Sequence, residues 1–459
     1  MNAAVAETGP SDMEGTGSDR SLAIAKAWLQ RCIEEHPSCR LETKGELPTR
    51  VIDVGDESTP PRIYVSKREQ ESYVTLSYCW GGDRNFCSLT TNIEAHTRNL
   101  LLEDLPKTIA DAVVITRKLG IRYIWIDALC ILQDSEEDLR REIAYMSDIY
   151  ANSLLTVAAK VSGTYHDGCF RKRSWPTSAL YPLDIRLAAG TRDKKSCIHG
   201  RTKYSRTSNM NRLMALPRHH SSLEDKEKPI LETQGWALQE ALLSRRLLNC
   251  GTDELSWSCM EATCSERVPE EVDSRTTNKW QHAVRCVLGT SFSGYQNSDH
   301  VNAEILFGYW LDVVSDFSRR KLSKPADKLA AIAGVQGAIG RVLEDVPVAG
   351  MWQNQFFLPS LLWHVATTDT SQNGTAFRCP SWSWISVALP ITYIMPQQGK
   401  RNDWAWYHST IYFPEVLSWN VEASNPLDGI GGYVTLRCKL LRDKQFVSDE
   451  HLHHRGKLL

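Results

Sequence analysis

No stretch of this 459-residue chain holds the roughly eighteen consecutive apolar residues from which a membrane span is read. Charge is nearly balanced, at a formal −2, so there is no field to draw nucleic acid or an anionic membrane surface. Neither is expected as a partner. The glycines form no P-loop and no dinucleotide fingerprint, which leaves ATPase and Rossmann dehydrogenase readings without support. No internal repeat appears, so a propeller or ankyrin-type tail is not expected. The opening MNAAVAETGPSDMEGTGSDR lacks a signal peptide's basic start and apolar middle and reads as a disordered tail over 1–20. The thirteen cysteines are odd in number and irregular in spacing. Reduced thiols in a cytoplasmic protein are therefore expected rather than a disulfide framework.

What the chain does have is alternation. Tyr73 to Cys79 is a β-rich run ended by Gly81-Gly82 and reads as a buried strand entering a loop. Pro106 opens a helix in its first turn, Leu105, Ile109, Val113 and Thr116 follow at helical spacing, and Gly120 closes it. Ile121 to Ile126 is a second apolar run. Ser135 with Asp138 resembles a capping box, and Leu139, Ile143, Met146 and Ile149 form the next stripe. Leu154 to Ala159 is a third run. Strand, helix, strand, helix, strand predicts an α/β fold with a parallel sheet flanked by helices.

Such sheets bind ligands beyond the carboxyl ends of their strands. Ser77, Tyr78, Trp80, Gly81, Gly82 and Asp83 follow the first strand, and Asp127, Gln133 and Asp134 follow the second. Two readings stay open: a polar ligand site, or helix caps and a turn. Cys32, His36 and Cys39 stand at i, i+4 and i+7, but Pro37 breaks the helix and the spacing offers no fourth donor, so no metal is expected. Cys259 and Cys264 lack a partner pair. Cys79 and Cys130 read as small buried hydrophobes.

The ordered series LSYCWG, LPKTIADA, YIWIDALCILQD, MSDIYANSLLTVAA, Gly168-Cys169-Phe170 and GWALQEALLSRR resembles the heterokaryon-incompatibility (HET) domain of filamentous fungi. AKAWLQRCIEEHPSC and LPTRVIDVG resemble its usual lead-in, and DKLAAIAG, AGMW, LLWH and PSWSW its usual C-terminal companion. The segments implied are a lead-in over 21–72, the HET domain over 73–246 with a polar insert at about 160–235 expected to contain a mobile surface loop, and a C-terminal α+β accessory region over 247–459. The accessory region contains Ile305, Tyr309, Asp312 and Asp316 at helical intervals and a tryptophan-rich stretch (Trp352, Trp363, Trp382, Trp384, Trp404, Trp406) read as core. DGIGGYVTLRCK, over 429–440, reads as a turn and a strand.

HET domains are in turn distantly similar to Toll/interleukin-receptor (TIR) domains, whose first strand ends in an S-Y-x-G-x-D-like loop and which carry a W-C-x-x-E block. Trp236 and Glu240 keep that block's spacing in WALQE, with Ala237 in place of Cys. The insert before Trp236 departs from the TIR order and leaves the position of Glu240 open. The resemblance implies Glu240 and Asp127 as candidate catalytic carboxylates, with Ser77, Tyr78, Trp80, Gly81, Asp83 and Trp236 as candidate nucleotide-binding residues. The expected cleft is nucleotide-sized, lined by Ser77, Tyr78, Trp80, Gly81, Asp127 and Glu240. No resident cofactor is required, and NAD is the candidate substrate. The implied role is fungal non-self recognition leading to regulated cell death, through NAD cleavage or through a non-catalytic adaptor that self-associates. Partners implied are further copies of the chain or other incompatibility or immune-type proteins.

Overall fold

In the computed structural model, the described residues are 15–40, 45–82, 85–173, 181–183, 213–215, 228–267, 272–273, 281, 283–288, 303–366, 379–393, 415–422 and 431–437. The chain opens with helix α1 (Asp19–Glu35), whose Ser18 caps it by accepting from Ser21 N. Within the segment expected as a disordered tail over 1–20, residues 15–20 are ordered, and Asp19 and Arg20 are already helical. Residues 1–14 lie outside the described set, but Thr16 is buried and bonded both ways to Arg171: its amide donates to Arg171 O, and its hydroxyl accepts from Arg171 N, each at 2.9 Å. A buried hydroxyl with both partners is ordered backbone rather than tail.

Strands β1 (Arg50–Asp53) and β2 (Arg62–Val65) precede β3 (Tyr73–Ser77). A short helix α2 (Ile93–Arg98) leads to α3 (Lys107–Leu119), β4 (Tyr123–Trp125), the single turn α4 (Asp127–Cys130), α5 (Glu136–Asn152) and β5 (Leu155–Ala158). The periodicity is realised as burial. Leu105, Ile109, Val113 and Thr116 are buried, as are Met146 and Ile149, while Leu139 and Ile143 pack partly buried against the core. Pro106 stands at the N-cap of α3 rather than within its first turn, and Gly120 ends the helix in the left-handed conformation, φ 80°. Ser135 caps α5 by accepting from Asp138 N at 3.3 Å. The return half of the capping box is absent, because the Asp138 carboxylate instead binds Arg50 and accepts from Leu132 N.

After the insert come α6 (Gly235–Leu243), β6 (Arg246–Cys250), β7 (Leu255–Cys259), β8 (Ala262–Ser265) and β9 (Val272–Asp273). All nine strands form one sheet in the order β9-β8-β7-β6-β5-β3-β4-β1-β2. The four central strands β6, β5, β3 and β4 run parallel, and the flanking pairs are antiparallel. The expected parallel core is thus present. Its sheet extends beyond the expected segment bounds, because β1 and β2 come from the lead-in and β7 to β9 from beyond residue 246.

The accessory region supplies α7 (Ala303–Phe317) and α8 (Ala330–Leu343). The face of α7 that enters the core carries Leu306, Phe307, Trp310, Leu311, Val314 and Phe317. The row Ile305, Tyr309, Asp312, Asp316 is the outward side, with Ile305 exposed and Asp316 paired to Arg320 and Lys228. Trp352 and Trp384 are fully buried, Trp310 meeting Trp352 edge-on at 5.3 Å; Trp404 and Trp406 lie outside the described residues. Gly431–Arg437 is the strand expected near the C-terminus, paired with Glu415–Glu422. Most of the insert falls outside the described residues. Among the described residues, no helix is long and apolar enough to cross a membrane.

Candidate functional site

Ser77 is the last residue of β3 and is 3% exposed. Its hydroxyl donates to Glu240 Oε2. Glu240 lies in α6, which enters from the carboxyl end of the sheet, crosses β5 to β6, and sets Glu240 over the end of β3 at 7% exposure. The insert that separates Glu240 from the earlier motifs in sequence therefore does not separate it in space. Burial pushes its carboxyl up to about 8, and the nearby Asp127 charge adds to this; the bonds from Ser77 and Tyr150 act the other way. Tyr150, whose hydroxyl donates to Leu76 O at 3.0 Å, completes that side. A desolvated carboxyl beside a second one is the setting in which a proton is retained near neutral pH.

Asp127 opens α4 immediately after β4. One carboxylate oxygen accepts from the Trp80 indole at 2.8 Å, and the other accepts from Ala128 N at 2.7 Å. Burial raises its pKa to about 6 against the lowering effect of those bonds. Tyr78 lies between the two acids. Its hydroxyl is buried without a hydrogen-bond partner of normal geometry. Burial first, then the charge of Asp127, pushes its pKa well up. The Asp127 carboxylate is the acceptor this hydroxyl faces.

Gly81 holds the loop in the left-handed region, φ 81°, and a Cβ there would stand 2.8 Å from the Thr164 side chain. Trp80 and Trp236 are partly buried against the core. Trp236 lies one turn before Glu240 on α6, on the same face. Asp83 lies outside the described residues. Ser77, Tyr78, Trp80, Gly81, Asp127 and Glu240 therefore meet at the carboxyl ends of β3 and β4, with Trp236 adjoining.

Other motif residues serve structure. Asp134 accepts from Thr90 N and Thr90 Oγ1 at 2.8 and 2.6 Å, tying down the loop before α2 rather than capping α5. Gln133 donates to Asp127 O. Asp111, in LPKTIADA, accepts from the amides of Cys169 and Phe170 at 2.8 and 3.2 Å. A cavity of about 360 Å³ opens at the opposite, amino end of β3, lined among others by Thr49, Tyr73, Glu142, Tyr145 and Asp148. It takes no part in this cluster.

One grouping was invisible to spacing. Cys32, His36 and Cys39 gather around Cys259 of β7, and all four side chains are buried. The absent fourth donor is thus supplied from 220 residues away in sequence.

Residues 73–240 match the family model described as Heterokaryon incompatibility protein (HET). No curated protein and no solved structure matches the chain. The stretch that brings Ser77, Asp127 and Glu240 together is accordingly a heterokaryon incompatibility domain, and it supports a heterokaryon incompatibility-type role for this protein.

Proposed function

We propose that the protein acts in fungal non-self recognition and triggers regulated cell death by cleaving NAD at the Ser77–Asp127–Glu240 cluster, in a TIR-like manner. The observation that carries the reading is the convergence of two carboxyls and a buried tyrosine hydroxyl at the ends of parallel strands. The chemistry suits the cluster. The nicotinamide of NAD is a cation, and its approach favours the ionised form of Glu240, which burial and the nearby Asp127 charge hold protonated up to about 8. Breaking the nicotinamide–ribose bond releases neutral nicotinamide and leaves an oxocarbenium-like ribose, which an adjacent carboxylate stabilises or traps. Water then adds at the ribose carbon and a proton is released, giving ADP-ribose. Trp80 and Trp236 offer aromatic faces for the bases. Assembly of several copies in the cytoplasm is the step that would switch the site on.

A second reading is a non-catalytic adaptor. It is favoured by the Asp127 carboxylate, both of whose oxygens are already occupied by Trp80 and Ala128, as a purely structural cap would be. The test is NAD content and viability in cells expressing wild type and Glu240→Gln side by side. The enzyme reading expects NAD loss and death with wild type and neither with the variant, at equal protein levels. Death without NAD loss, or equal toxicity from both, overturns it in favour of the adaptor.

A further inference from the structure

Helix α1 ends at Glu35, and His36 leaves it in an extended conformation, φ −102° and ψ 96°. Pro37 then starts a 3-10 turn, Pro37–Cys39. The amide of His36 still reaches Cys32 O at 3.3 Å, and that of Cys39 reaches His36 O at 3.1 Å. The break at Pro37 therefore folds Cys39 back beside Cys32 instead of carrying it a further turn along the helix. Strand β7 ends at Cys259 against this corner. His36 Nδ1 stands 3.3 Å from Cys259 Sγ, Ser38 N donates to Glu261 Oε1 at 2.6 Å, and the four donor atoms all lie within 4.8 Å of one another.

The 3.3 Å contact is close to the edge of a metal tetrahedron, and the 4.8 Å bound on the others is within about 1 Å of it. Zinc–sulfur bonds of about 2.3 Å and zinc–nitrogen bonds of about 2.0 Å imply donor–donor edges of roughly 3.5–3.8 Å. The surroundings also suit thiolates rather than thiols. Arg246 Nε donates to Cys32 Sγ at 3.2 Å and Ala262 N donates to Cys259 Sγ at 3.2 Å. Arg246 also donates to Cys39 O at 2.6 Å. Arg246 is 2% exposed and Arg285 8%, and among the described residues neither forms an ion pair with a carboxylate. Buried guanidinium groups need a counter-charge. Three thiolates, one neutral imidazole and a divalent ion carry a net single negative charge, which a neighbouring guanidinium balances. Donation of N–H groups to ligand sulfurs is the outer support expected around such a centre.

We propose that Cys32, His36, Cys39 and Cys259 form a Cys₃His zinc site that clips the lead-in helix to the antiparallel edge of the HET-domain sheet. Four protein donors leave no open position, so the site is structural and separate from the Glu240 cluster. It closes a loop of more than 200 residues, and metal binding of this kind contributes directly to folding.

The experiment is metal analysis of the full chain, purified under reducing conditions without chelator. The expected result is about one zinc per chain, retained through gel filtration and released by a thiol-blocking mercurial. Cobalt exchanged into the site should show the sulfur-to-cobalt charge-transfer and tetrahedral ligand-field bands of three thiolates. Cys259→Ser should lose stoichiometric zinc, and Cys264→Ser, on the next strand β8 opposite Trp257, should keep it. If Cys259→Ser does not fold, the wild-type zinc content and cobalt spectrum decide by themselves. Folded wild-type chain without zinc that takes up no cobalt with these bands overturns the proposal, as does a disulfide joining two of Cys32, Cys39 and Cys259 in freshly isolated protein.

Discussion

The hydroxyl of Ser77 donates to the carboxyl of Glu240 across 163 residues of sequence, joining the end of the first parallel strand to the crossover helix between the third and fourth. Both groups are buried, so the bond is made where water cannot compete for it. A neutral carboxyl is the cheaper state there, and ionisation is left for a moment when a positive partner arrives. The same contact thus bears on stability and on chemistry.

The first prediction follows from the proton on Glu240. Its carboxyl ionises at about 8 in the folded protein, against 4.5 for the ordinary group. Between those values the folded state holds the extra proton, so stability falls as pH rises through the window. The loss is at most about 1.4 kcal/mol per pH unit. Asp127, raised to about 6, adds a smaller loss of the same sign at lower pH. Wild type should therefore lose thermal stability between pH 6 and pH 8.5, while Glu240→Gln should show a flatter profile and match or exceed wild type at the alkaline end. Thermal denaturation of both proteins across this range gives the answer, and parallel profiles would mean that Glu240 titrates normally.

The Trp80–Asp127 bond gives the second. Trp80→Phe keeps an aromatic ring and removes the indole donor, while the bond from Ala128 N remains. A lost hydrogen bond to a charged group costs about 1.5–3 kcal/mol. A double-mutant cycle of Trp80→Phe with Asp127→Asn, read by denaturant unfolding, should show coupling of about 1 kcal/mol or more. Additive effects would show that the contact stabilises nothing.

Much of this was readable in the sequence, for local reasons. Gly120 and Ser135 end and start helices by their own backbone chemistry, and the apolar runs at Tyr73, Ile121 and Leu154 alternate with helical stripes. The strands β3, β4 and β5 accordingly lie where the pattern places them. Long-range relations were not readable. That Asp138 would answer Arg50 rather than complete its capping box depends on β1 packing beside α5. Cys259 reaches His36 only because the sheet continues into antiparallel strands beyond the matched domain. Glu240 could be named as a carboxylate at a suggestive spacing, but its seat over Ser77 is a property of the crossover α6, which no local pattern encodes.

Gly81 supplies the third prediction. Its φ of 81° and the Thr164 side chain 2.8 Å from where a Cβ would sit both oppose any side chain. Gly82, next along, has open space around it. Gly81→Ala should cost about 1–3 kcal/mol and should disturb the Trp80 loop, whereas Gly82→Ala should stay within about 0.5 kcal/mol of wild type. Denaturant unfolding of the two variants side by side checks this. Equal effects would place the constraint elsewhere in the loop.

The last prediction concerns Asp111, which anchors the Gly168–Phe170 segment to α3. Its carboxylate accepts from Cys169 N and Phe170 N and pairs with Lys107, while Thr108 beside it accepts from Gly168 N at 3.0 Å. Cys169 is fully buried under this arrangement, and its hydrogen bond with the Cys250 thiol, together with burial, pushes its thiol well above the ordinary range, so it is shielded and unreactive. Asp111→Ala leaves the buried Cys169 amide and the part-buried Phe170 amide without this acceptor, the buried one costing about 1–3 kcal/mol. The segment should then open locally before the sheet unfolds, because the parallel core does not depend on it. Alkylation of Cys169, followed by mass spectrometry under native conditions, should rise at least tenfold over wild type while Cys130, fully buried in α4, stays protected. Asp111→Asn retains one acceptor oxygen and should fall between the two. If Cys169 and Cys130 become reactive together, the carboxylate supports the whole domain rather than this one latch.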